Sequence, residues 1–329
     1  TSQRTLDLGV KYSPVEACLP FKLTLGNLIE ACELGADTLV QARGTGICRL
    51  GYYAKGQEQI LHDLGYNEAH FLTLDVSHHK FLSILQLIRS MCNNAPWPKI
   101  ISTFFFGIGK LFALDKIEEV VQKVRAVELE KGSANRIYRQ AVKDIEEARE
   151  GKEVKKITRE YIDKLNQVVK DPKADPVKVG IVGEIYVVLE PFANMDIEVE
   201  LGKLGVEVKR HLSLSRWVKY SFFLNPLGID EWKEVHKAAM PYLKRDVGGD
   251  GWESVGEKVI YAREGYDGII HLLLFTCIRE IVAENIMPST KEDIPVLTVL
   301  CDEQMARAGM ITRLEAFVDL LKFRRRRRR

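Results

Sequence analysis

Short apolar, β-branched runs alternate with amphipathic segments over most of this chain, and that alternation constrains it to a parallel sheet with helices on its faces. In the first third, LDLGVKY (residues 6–12) reads as a short strand, and a helix then follows from Pro20 to a glycine stop at Gly35. DTLVQ (37–41) and HFLTL (70–74) read as further strands. They are separated by RLGYYAKGQEQILHDLG, a helix ending at Gly65, and followed by HHKFLSILQLIRSMC, another helix. The pattern restarts at VKVGIVG, where a β-branched run opens a second series. VEVKR, DGIIHLLLF and PVLTVL are its later strands, with helices at 194–204, WESVGEKVIYAREG, IREIVAENIM and 311–321.

Between the two series the chain changes character. Residues 114–169 hold almost no Gly or Pro, and charged residues interleave with Ile, Val, Leu and Tyr at helical spacing. Two or more amphipathic helices follow from that spacing. DPKADP (171–176) is a turn-rich linker. The expected organisation is a first α/β lobe over 1–113, a helical connector over 114–170 and a second α/β lobe over 177–323. Arg324 to Arg329 form a disordered or appended tail. Those arginines supply six positive charges to a chain of net charge +2, so the remainder is net negative and offers no basis for nucleic-acid binding. No run reaches the roughly 18 apolar residues of a membrane span. IISTFFFGIGKLFAL (100–114) comes nearest, and with Lys110 and two glycines it reads as a buried segment or hinge. No leader of the secretory kind is visible, and the expected address is the cytoplasm.

Six cysteines without paired short spacings do not make a secreted disulfide framework. They divide by context. Cys18 (EACLPFK), Cys48 (GTGICRLGYY) and Cys277 (LLLFTCIRE) each stand just past a strand-like run and just before a helix. Such loops in an α/β protein converge on the crevice at the carboxyl ends of the strands. Three soft thiolates meeting there are the ligand set of an iron–sulfur cluster, or less often of zinc. Cys32 and Cys92 lie within helical patterns on apolar faces and read as small buried hydrophobes. Cys301 ends a strand and can reach the same crevice.

Other chemistry is sparse. GTG is a tight turn and matches neither GxGxxG nor a Walker A loop, and no HExxH, GxSxG or EF-hand loop occurs. His78 and His79 open a helix, while His271 lies inside the most apolar strand as a core histidine. Glu184 and Glu190 flank IYVVL after a strand; each is a candidate acid or base, with helix capping the competing role. Asp302 and Glu303 carry the same two readings, acid or base against capping.

Five segments together resemble one family: EACLPFKLTLGNLIEACELGADTLVQ, GTGICRLGYYAKGQEQILHDLGY, KVGIVGEIYVVLEPFANMDIEVELGKLGVEV, GYDGIIHLLLFTCIREIVAENIMP and IPVLTVLCDEQMARAGMITRLEAFVDLL. They resemble the D-component of the 2-hydroxyacyl-CoA dehydratases, and within it the activase-associated, CoA-activase-like branch. The resemblance implies two Rossmann-like lobes with an iron–sulfur cluster between them, commonly a [4Fe–4S] on three cysteines with one iron open. Related double-cubane proteins carry a linked [8Fe–9S] pair on six cysteines. It implies an ATP-dependent activator of actin-like fold, with its own cluster, that delivers a low-potential electron. In the dehydratases that electron makes a ketyl radical on an acyl-CoA thioester and permits water elimination. A homodimer or a related second subunit is also implied, as is oxygen sensitivity.

By resemblance, Cys18, Cys48 and Cys277 match the family's cysteine positions in the CxPxK, GxCR and FTC segments. This chain departs from the pattern with Ile-Arg after Cys277, where many relatives have Met-Pro, and with the extra Cys301. The expected protein is therefore a [4Fe–4S] protein performing reductive or radical chemistry at an open iron. The alternatives are a double-cubane reductase, a non-catalytic electron-transfer or cluster-carrier protein, and a zinc protein with the helical middle as an interaction arm.

Overall fold

The structure is a computed structural model that describes residues 1–44, 48–75, 88–89, 91–220, 224, 228, 232–245, 247 and 249–328. Residues 6–12, expected as a strand, belong instead to a helix, α1 (Gln3–Tyr12). Ser2 starts it through a reciprocal capping box with Thr5, and the buried positions Thr5, Leu6 and Gly9 recur at helical spacing rather than in alternation. The second helix, α2 (Leu19–Glu33), begins at Cys18 with Pro20 in its first turn and stops before Gly35, whose φ is +89°. Strands β1 (Thr38–Arg43) and β2 (His70–Asp75) run parallel with Thr38 opposite His70, joined through α3 (Leu50–Asp63). The helix expected at HHKFLSILQLIRSMC, with His78 and His79, falls almost wholly outside the described residues.

The helical middle is a three-helix unit. Helix α4 (Trp97–Val127) runs unbroken through residues 113 and 114, where the sequence places a junction. Its first half is not buried: Ile101, Phe104 and Phe105 are each about half exposed. Its second half packs with α5 (Ser133–Glu147) and α6 (Gly151–Asn166) around Ile117, Val121, Ala141, Ile145 and Leu165. The Glu128 carboxylate closes the turn into α5 by accepting the amides of Gly132 (2.6 Å) and Ala134 (2.7 Å).

The last part is a four-stranded, wholly parallel sheet of β3 (Val177–Gly183), β4 (Val206–Arg210), β5 (Gly268–Leu274) and β6 (Val296–Cys301), ordered β4-β3-β5-β6. Each strand alternates its side chains between two helical layers. Val179, Ile181, Ile270 and Leu272 face a core shared with α7 (Ile185–Leu189), α8 (Ile197–Lys203) and α13 (Arg307–Arg328). Val182 and Ile269 face α10 (Lys233–Ala239), α11 (Gly251–Arg263) and α12 (Ile278–Ile286). A short α9 (Leu214–Lys219) follows β4. Coverage of both faces is why these strands read as continuous apolar runs. The arginine tail is helical rather than disordered. Helix α13 continues through Arg328, and Arg324 and Arg325 pair with Asp293 (2.7 Å) and Asp175 (3.0 Å), charges that anchor its last turns.

Two junctions hold these parts together. At one, α4 meets the β4 edge through a half-buried charge cluster: Arg210 bridges Glu118 and Glu198, and Arg125 and Gln122 also reach Glu198. At the other, Leu6, Leu19 and Leu23 of the N-terminal helices enter the core of the β3–β6 sheet. Lys22, 3% exposed, pairs with Glu303 beyond β6 at 2.5 Å. Helices α1 and α2 approach closely because they cross at glycines: a Cβ on Gly26 would stand 1.9 Å from the Thr5 carbonyl oxygen. Gly26→Ala therefore forces the two helices apart. It should lower stability by about 1–3 kcal/mol or more, read as a reduced urea midpoint; an unchanged midpoint would refute the close crossing.

Candidate functional site at the ends of the parallel strands

Strands β3 and β5 are neighbours, but their continuations leave on opposite faces, one to α7 and the other to α12. That divergence opens a crevice at the carboxyl ends of the two strands, the place where open α/β sheets bind ligands. Gly183 makes the exit possible: its φ is +137°, and a Cβ there would lie 1.9 Å from the Leu272 carbonyl oxygen. The next amide, of Glu184, donates to that same carbonyl at 3.1 Å. Glu184 is thus pinned at one lip of the crevice, and Cys277, the residue before α12, follows β5 at the other.

The first lobe supplies the remaining thiols. Cys18 precedes α2 and packs against the β3–β6 core, as Cys277 does. Cys48 is an electrostatic neighbour of both Cys18 and Tyr53. The two loops are tied directly by Arg49, which donates to the Glu16 carbonyl at 2.8 Å; within the second, the Leu50 amide donates to the Cys48 sulfur at 3.4 Å. Glu184 acts electrostatically on Cys18, Cys277 and Cys301, which makes it the shared neighbour of these thiols.

Burial governs the acid–base state here. It pushes Cys277 and Cys301 up to about 12, and raises Cys18 against the opposing pull of the Tyr53 hydroxyl and the Phe21 amide. Burial therefore keeps Cys18, Cys277 and Cys301 in the thiol form at physiological pH, and a metal centre binding there must displace their protons. The carboxyls respond the same way. Burial lifts Glu184 to about 7 and Asp250 to about 8, with Glu280 as a further repelling neighbour of both. Glu184 accepts the Val187 amide and Asp250 the Ile185 amide, each at 3.1 Å. Behind them Glu280, 1% exposed, receives Ser254 Oγ (2.9 Å) and meets His271 Nε2 at 2.7 Å. His211, at the end of β4, donates Nδ1–H to the Ile181 carbonyl (3.2 Å), and burial lowers it to about 4.

The sequence-derived candidates separate accordingly. Glu184 caps the start of α7 through the Val187 amide and is also an electrostatic neighbour of Cys18 and Cys277, and Cys48 is an electrostatic neighbour of Cys18. Glu190 turns away and accepts the Phe192 amide at 3.2 Å, in a cap-like role. Cys301 is 1% exposed among the core leucines of the sheet, below the crevice mouth. Cys32 lies in the first-lobe core as expected; Cys92, expected as buried, is exposed at a turn before α4. His271 is a core histidine, though its partner is a carboxylate. Sequence reading missed Tyr53, Lys22, Asp250 and Glu280. Asp250, with glycines on both sides in the sequence, was a visible hint, whereas Tyr53 and Lys22 look like ordinary helix positions.

As a donor set, three thiols at helix starts suit an iron–sulfur cluster, whose size asks its ligands to stand apart. Among the described residues, no three His, Cys, Asp or Glu side chains form a ready cage for a single ion. No protein-family model matches the chain, and no curated protein matches it. No helix among the described residues is long and apolar enough to cross a membrane.

The two raised carboxyls make a pH prediction. Folding holds their protons more tightly than the unfolded chain does, so their stabilising contribution is complete below their ordinary values of 4.5 and 3.8. It is lost as pH rises through about 7 to about 8. Urea midpoints of the metal-free, reduced protein should fall across that window. Glu184→Gln with Asp250→Asn should flatten the fall, and an undiminished slope in the double variant would contradict the assignment.

Proposed function

We propose that this chain is an iron–sulfur protein of the 2-hydroxyacyl-CoA dehydratase kind, with Cys18, Cys48 and Cys277 holding a [4Fe–4S] cluster between two Rossmann-like lobes. The observation that supports the reading is that Cys18 and Cys277 pack against the same sheet core and share Glu184 as an electrostatic neighbour, while Cys48 is an electrostatic neighbour of Cys18. A three-cysteine set leaves one iron of a cubane without a protein ligand, the arrangement that distinguishes open catalytic centres from closed structural ones. When bound, such a cluster supplies single low-potential electrons and a Lewis-acidic site. A cytoplasmic, ATP-dependent activator with its own cluster is the electron donor this reading implies, and an acyl-CoA or other small molecule is the substrate class.

The protein's own groups then have definite tasks. Glu184 and Asp250, lifted by burial to about 7 and about 8, can hold a proton near neutral pH and give it to a ligand that gains negative charge. The helix starts after Cys18 and Cys277 aim their positive ends at the thiolates and offset part of the added charge. The burial of Cys32 in a separate core and the surface position of Cys92 favour one cubane over a six-cysteine double cubane.

Anaerobic purification followed by iron and acid-labile sulfide analysis and EPR tests the proposal. About four irons per chain are expected, for one [4Fe–4S] centre. Cys48→Ala should abolish the chromophore and Cys92→Ala should leave it intact. Zinc in place of iron, or a full cluster in both variants, would overturn the assignment.

A further inference from the structure

The Cys18 sulfur has a built-in partner. The Tyr53 hydroxyl lies 2.6 Å from it, and this is the hydroxyl's one hydrogen bond among the described residues. Tyr53 is 6% exposed, so its phenol depends on that bond. Its ring is held edge-on by Phe21 of α2, with centroids 5.1 Å apart and planes at 88°. One turn further along α3, fully buried Gln57 donates to the Phe21 carbonyl (3.2 Å) and to Thr24 Oγ1 (2.7 Å), locking α3 against α2. Both ends of the Tyr53–Cys18 contact are thus fixed by the helices that carry them, so the short distance does not depend on a freely rotating side chain.

We propose that Tyr53 is a positioning residue that holds negative charge on the Cys18 sulfur by donating its O–H, a role that rests on reading Cys18 as a cluster ligand. A phenol is a weaker acid than a thiol. When Cys18 gives up its proton, Tyr53 therefore keeps its own and the bond becomes charge-assisted. Hydrogen bonds to a ligating sulfur draw charge from the cluster and move its potential to more positive values. The hydroxyl also orients Cys18 before any cluster arrives. A tyrosine present merely to fill the first-lobe core would need its ring alone.

Tyr53→Phe keeps the ring and removes the donor. In the metal-free, reduced protein at fixed pH, iodoacetamide labelling of Cys18, followed by peptide mass spectrometry, should slow. The thiolate fraction falls faster than intrinsic nucleophilicity rises, so each pH unit of lost thiolate stabilisation slows the reaction roughly threefold. Cys92 should be unaffected, and Cys32, buried in the same core cluster as Tyr53, should stay unlabelled if the core is intact. A fluorinated tyrosine at position 53, a stronger donor of nearly the same shape, should speed Cys18 labelling. That arm holds even if the Phe variant loosens the core. In the cluster-loaded protein, Tyr53→Phe should shift the midpoint potential to more negative values. An unchanged Cys18 rate with Cys32 still protected, or an unchanged potential in a loaded variant, would overturn the proposal. A slowed Cys18 in a protein that takes up no cluster would support the Tyr53–Cys18 bond and defeat the ligand reading instead.

Discussion

The burial of Leu6, Leu19 and Leu23 in the core of the β3–β6 sheet fixes where everything at the crevice stands. Each leucine removed from water contributes roughly 1.5–3 kcal/mol, enough together to hold the N-terminal helices against a sheet more than 150 residues away in sequence. Cys18 starts the helix that carries two of these leucines, so docking that helix docks the thiol. The Lys22–Glu303 pair orients the same helix, because a buried ammonium needs its carboxylate close. Arg49 and Tyr53 then extend this placement to the Cys48 loop.

The crevice so formed is a place where charge is costly. Thiols and carboxyls there are pushed toward their neutral forms by the same apolar surroundings that bind the helices to the sheet. A group entering with positive charge would find acids ready to release protons. One accumulating negative charge would find acids ready to donate them. Burial thus couples the packing of the two parts of the molecule to the chemistry available between them.

Much of this was legible in the residues. The apolar runs at VKVGIVG and GIIHLLLF became central strands because both of their faces are covered, and a strand covered on both faces has no polar alternation to lose. The glycine stops at Gly35 and Gly65 held because positive φ is local chemistry. LDLGVKY failed because its apolar residues suit either period and the deciding signal, the Ser2–Thr5 box, lies just upstream. IISTFFFGIGKLFAL failed because hydrophobicity sets a preference for burial without supplying a surface to bury against; its helix extends past the rest of the three-helix unit. The arginine tail extends α13 instead of being disordered, and Arg324 and Arg325 meet Asp293 and Asp175, which are remote in sequence.

By itself the sequence determined the later alternation of strands and helices, the helical middle, and the helices that follow Cys18, Cys48 and Cys277, though Cys18 is preceded by a helix rather than the expected strand. Those features follow from period, turn chemistry and local backbone preference, all written within a few residues. Only the tertiary structure decided that Glu184 rather than Glu190 faces the thiols, that Cys301 is core, and that Tyr53 bonds to Cys18. Each of those outcomes depends on which helix packs against which face of a sheet, a matter of burial and close approach between residues distant in the chain.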